Sequence, residues 1–128
     1  MPSPLLIALL IAAHPAPTDS VPLYANLGRH HHEISTKVPK AQLYFDQGLR
    51  LTYAFNHGEA IRAFNEAARL DPSCAICHWG VALAYGPNIN AGMDSASGVE
   101  AYAAIQRALR LSSNASRNVR GKARVITR

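Results

Sequence analysis

Two stretches of this chain echo one another: "EAIRAFNEAARLDPS" at residues 59–73 and "EAYAAIQRALRLSSN" at residues 100–114. Each places small and apolar residues at three- and four-residue intervals, the spacing of one helix face. A chain that repeats a helical unit is restricted to folds in which like units stack and bury their apolar faces on one another. Each echoing stretch is preceded by a further helical pattern. In "AQLYFDQGLRLTYAF", from Ala41, the residues Leu43, Tyr44, Gly48, Leu51 and Phe55 carry the period; "CAICHWGVALAY" is its counterpart. Asn56–Gly58 breaks the first pair with a turn. Asp71-Pro72 ends the second helix, because a residue before proline avoids the helical region. "GPNINAGMDSASG" (residues 86–98) is a Gly-, Pro-, Asn- and Ser-rich loop, and "SSNAS" closes the fourth helix. Four helices in two pairs follow, with Ala75 standing 34 residues after Ala41.

The arrangement resembles the tetratricopeptide repeat. Counting from Ala41, the first unit has an aromatic at place four (Tyr44) and small residues at places eight and twenty (Gly48, Ala60). Phe64, Ala67 and the terminal Pro72 complete the match. The second unit, from Ala75, supplies Ala82 at place eight and Tyr85 at place eleven. Ala101, Ile105 and Ala108 follow, displaced seven residues by the longer loop. The wording over about residues 22–116 is similar to a group of secreted or periplasmic bacterial tetratricopeptide-repeat proteins of unassigned activity. The resemblance implies an all-α, TPR-like helical solenoid of two antiparallel helix pairs, residues 41–74 and 75–114, within a unit spanning 40–116. It also implies that Gly48 and Ala82 sit where backbones come closest. Such proteins generally continue into further repeats. Either the tail forms a short capping helix, or the chain is a fragment of a longer repeat protein, or its uncovered face takes a partner or a second copy. A fragment or a partner-dependent chain is the expectation.

In that family the first helices of successive units line a concave wall that holds a peptide. Carried over by place, the wall consists of Gln42, Phe45, Leu49, Thr52 and Tyr53, then Ile76, Trp79, Leu83, Gly86 and Pro87. Of these, Phe45, Leu49, Tyr53, Ile76, Trp79 and Leu83 form the expected groove. It is aromatic and apolar and has no Lys or Arg to clamp a carboxylate, so apolar anchors would hold the ligand. The competing reading for Phe45 and Trp79 is plain packing between helices.

Cys74, Cys77 and His78 spell C-x-x-C-H, the spacing that attaches haem c, with two thiols for the vinyl groups and the following His for the iron. On a helix, residues three and four apart share a face. Three readings stay open: packing or a disulfide-capable pair, covalent haem in a small electron-transfer protein, and zinc or another metal. For either metal reading the extra ligand comes from His30–His32, because eight extended residues reach about 27 Å. His57, in the turn after the first helix, is poorly placed for that. With Asn56, Asn88 and Asn90 it marks one edge, where the asparagines are expected to satisfy loop backbones. Asp46, Glu59, Glu66, Asp71 and Glu100 are expected on exposed faces or caps, and no catalytic set emerges, so an enzyme is not expected.

The net charge of +5 is local. Residues 117–128, "RNVRGKARVITR", hold five bases and no acid, which leaves eight bases against eight acids elsewhere. A solvated basic tail is therefore expected, and no nucleic-acid partner. Leu5–Ala13 is an apolar run of nine, too short to span a bilayer, with small residues and a proline at Ala12, Ala13, Pro15 and Ala16. It reads as a secretory signal over residues 1–16, with no stable membrane insertion of the mature chain and a periplasmic or secreted location. Residues 17–39 show no period and are expected as an extended lead-in. The expected activity is protein–protein interaction outside the cytoplasm, with another protein or a peptide as partner and no cofactor.

Overall fold

The computed structural model describes residues 20–126, with side chains described through residue 117. The signal expected over residues 1–16 lies outside them, as do the side chains of most of the basic tail. The described residues form four helices and no named strand: α1 Pro39–Tyr53, α2 His57–Leu70, α3 Ala75–Tyr85 and α4 Ser95–Ile126.

Local chemistry sets most of the boundaries. Pro39 opens α1, where its fixed φ suits a helix and its missing N–H goes unneeded. The helix stops at Tyr53, two residues short of the expected Phe55. Phe55 instead sits at φ 60°, a left-handed value that costs a bulky residue about 1–2 kcal/mol. It turns the chain so that the Asn56 side chain accepts the Glu59 amide at 3.3 Å and caps α2. Beyond α2, Asp71 accepts the Ser73 amide at 3.0 Å, its hydroxyl at 2.6 Å and the Thr36 hydroxyl at 2.5 Å. Asp71 is thus buried, 8 % exposed, where an exposed cap was expected. These bonds, led by the one from Ser73, hold its carboxyl below the usual carboxylate range.

Each helix packs on the next in sequence, and α3 also meets α1, so α1 and α3 share one side of the layer. The core between them is small-residue rich: Ala60, Ala63, Phe64 and Ala67 on α2 have no exposed surface. Phe64 meets the fully buried Phe45 edge-on, with ring centroids 5.5 Å apart. The closest approach to α3 falls at Gly80 and not at Ala82, which is only half-buried. A Cβ at Gly80 would lie 2.4 Å from the Phe64 ring, and one at Gly48 2.6 Å.

The fourth helix departs most from expectation. It begins at Ser95, after the Asp94 carboxylate takes the Ser97 amide at 2.7 Å, and runs on through "SSNAS" to Ile126 without a break. Ser112 and Ser113 do not end it because their hydroxyls bond back to the carbonyls of Leu109 and Arg110, at 3.0 Å each. The basic segment is thus helical to residue 126. Val99, Tyr102 and Leu109 leave an apolar stripe on α4 exposed. No helix among the described residues is long and apolar enough to cross a membrane.

Candidate functional site

The lead-in is strapped to α1 by side chains. Gln47 accepts the Tyr24 amide and donates to the Pro22 carbonyl, both at 2.8 Å, while the Tyr44 hydroxyl donates to the Val21 carbonyl at 2.7 Å. The chain then turns through Gly28, whose φ of 80° suits glycine, and returns along the helix in an extended run. Gln42, Asp46 and Arg50, each four residues apart and so on one face of α1, receive it. Arg50 Nε donates to the His30 carbonyl at 2.7 Å. Asp46 Oδ1 accepts the His32 amide at 3.0 Å, and Oδ2 lies 2.7 Å from His31 Nδ1. The Gln42 amide donates to the His32 carbonyl and accepts from the Ile34 amide, both at 2.9 Å. Ile34 then enters the core.

Two glutamines therefore each grip the C=O of one strap residue and the N–H of the residue two further on. Asp46, expected on an exposed face, is 3 % exposed because the strap covers it. The sequence did carry a signal for this, in polar residues at 42, 46 and 50 repeating at helical spacing on a helix otherwise rich in apolar ones.

Beside the strap lies a hollow of about 460 Å³ lined by His30, His32, Phe45, Leu49, Tyr53, Ile76 and Trp79. Five of the six expected groove residues meet there. The sixth, Leu83, is half-exposed on α3 outside the hollow. Phe45 and Leu49 are buried and make the floor, whereas Tyr53 is 65 % and Trp79 39 % exposed, at the rim. His30 stands edge-on to Tyr53 with centroids 5.6 Å apart, and His32 is tilted against Phe45 at 6.1 Å. These two histidines were candidate metal ligands by sequence, and the structure makes them a wall of the hollow. No Asp, Glu, Lys or Arg lines it.

The C-x-x-C-H residues do not form a common site. Cys74 and Cys77 are joined by a disulfide, S–S 2.06 Å and Cα–Cα 5.3 Å, and both are buried in the core. Cys74 also caps α3, its sulfur accepting the Cys77 amide at 3.2 Å. With the sulfurs bonded to each other, neither thiol is free to meet a porphyrin vinyl group or a zinc ion. His78 turns away towards α4, where it shares a recess with Pro72, Arg107 and Arg110. Burial, and then the Arg107 charge, push its imidazole below the usual pKa. His30–His32 are engaged along α1, and among the described residues no group of three or more His, Cys, Asp or Glu is placed to hold a metal.

At the other edge, the His57 ring packs near Phe55, centroids 6.2 Å apart. Asn88 Oδ1 accepts the amides of Asn90 and Ala91 at 2.9 and 3.1 Å. Both Asn56 and Asn88 thus support loop backbone. No protein-family model matches the chain, and comparison with curated proteins and with solved structures finds no match.

Proposed function

We infer that this chain is a two-unit solenoid of tetratricopeptide type, acting as a protein-interaction module outside the cytoplasm, and that the hollow between the strap, α1 and α3 is its docking groove for peptide. One observation carries the reading: α1 already holds extended backbone. Gln42 and Gln47 each offer a donor and an acceptor to a peptide segment, as a neighbouring strand would. Next to that engaged wall the aromatic rim of Tyr53 and Trp79 is exposed. Such a surface suits apolar anchors better than charged ones, because no Asp, Glu, Lys or Arg lines it.

The test is selection from a random peptide library on the immobilised protein, followed by affinity measurement for the selected peptides. Trp79→Ala is expected to weaken them by about 2 kcal/mol or more, the range of an interface anchor, with the helical circular dichroism unchanged. Selected peptides that bind the variant as tightly as the parent would place the docking surface elsewhere.

A further inference from the structure

We propose that the groove takes its ligand by strand addition: an extended partner peptide pairs with the free backbone edge of His30–Ile34. Its alternate side chains then drop into the hollow beside Trp79. This rests on the groove reading above and specifies the mode of binding and the ligand's chemistry.

The strap's backbone bonds to α1 use only every second residue: His30 C=O, His32 N–H and C=O, and Ile34 N–H; His31 meets α1 by its ring alone. In extended backbone the polar groups of alternate residues point to opposite sides. The N–H and C=O of His31 and Glu33 therefore face away from the Gln42–Asp46–Arg50 stripe. No hydrogen bond within the described residues engages them, and both residues are exposed. That is the unpaired row an edge strand offers to another chain. The edge is also preordered, because three side chains of α1 hold it straight before any ligand arrives, which lowers the entropic cost of pairing.

Side-chain parity gives the rest. His30 and His32 turn to the hollow, one against Tyr53 and the other against Phe45. In a paired strand, side chains opposite them emerge on the same face and reach the apolar slot beside Ile76 and Trp79. The partner is thus an extended segment with aliphatic or aromatic residues at every second position. It has no charge at those positions and no proline where pairing needs an N–H.

The test uses 15N-labelled protein and an N-acetylated, C-amidated synthetic peptide alternating threonine with leucine and phenylalanine. At saturation the His31 and Glu33 amides should exchange about tenfold or more slowly. His32 and Ile34 should stay protected, and the Trp79 indole resonance should move. Faster exchange at His32 and Ile34 would mean that the ligand displaces the strap, which overturns the proposal. A Trp79 response without slowing at His31 and Glu33 leaves the groove standing but overturns strand addition. A silent Trp79 removes the groove reading and this proposal together. As a second check, Glu33→Pro deletes one pairing N–H while Glu33→Ala keeps it. Only the proline variant should lose about tenfold in affinity, with its thermal melt confirming that it is folded. Equal affinity of the two variants contradicts the mode.

Discussion

The carboxylate of Asp46, almost wholly enclosed, takes the backbone amide of His32 at 3.0 Å. This one bond joins α1 to a segment that the sequence offered only as a lead-in. It explains why an acid sits in the middle of α1: the strap removes the carboxylate from water and supplies the donors that burial demands. Asp46→Ala would leave the His32 amide and the His31 ring without this acceptor. The expected loss is about 1–3 kcal/mol, with faster exchange of the His32 amide. A variant that melts like the parent and keeps that amide protected would show that the strap is held by other means.

Phe64 is the pivot of the packing. Its ring fills the space where a side chain at Gly48 or Gly80 would otherwise stand. Gly80→Ala therefore forces the ring to move, at a cost of about 1–3 kcal/mol for overpacking, against about 1 kcal/mol gained in helix propensity. Net destabilisation is expected in a denaturant titration, and Phe64→Leu in the same chain should recover part of it. A Gly80→Ala variant more stable than the parent would mean that the helices are farther apart than described.

The disulfide between Cys74 and Cys77 closes a short loop, so its effect on the unfolded chain is small, about 2 kcal/mol at most by loop entropy. Reduction should lower the melting temperature modestly without unfolding the protein. Protein purified without reductant should resist thiol alkylation and have a mass lower by two hydrogen atoms. A Soret band that survives acid-acetone extraction would instead return the haem reading of Cys74, Cys77 and His78.

Stability should fall as the pH drops below the ordinary imidazole value of 6.5, and His78 is the group responsible. Its pKa is lowered in the fold, first by burial and then by Arg107. The unfolded chain therefore binds the proton more readily, and stability is lost as pH falls through that window. Asp71, also lowered, acts only further down, near and below its ordinary 3.8. His78→Tyr, with an aromatic ring like that of Tyr44 in the first unit, should flatten the melting profile between neutral pH and pH about 5. An identical slope in the variant would assign the effect to another group.

Sequence alone carried the helix pairs, because Phe64 and Ala67 in α2 and Ala108 in α4 fall at helical spacing and all three are buried. Ala101 and Ile105 are only half-buried, and Ala104 takes the core position beside Ala108. The resemblance to the tetratricopeptide repeat implied that Phe45, Leu49, Tyr53, Ile76 and Trp79 share a wall, and these five do line one hollow. Sequence did not carry the strap. Val21 to Ile34 has no period, and its register depends on bonds from Gln42, Asp46, Gln47 and Arg50 that link residues far apart in sequence. Nor did it place the end of α4, where Ser112 and Ser113 read as a break but satisfy themselves along the helix.

Trp79 is the chain's one tryptophan, so its fluorescence reports the groove directly. Titration of the purified protein with the alternating apolar peptide should give a saturable blue shift, as the half-exposed indole is covered. Tyr53→Ala, at the facing rim, should weaken the response by about tenfold. Emission that does not change at any peptide concentration, or a shift indifferent to Tyr53→Ala, contradicts the assignment of this hollow as the docking site.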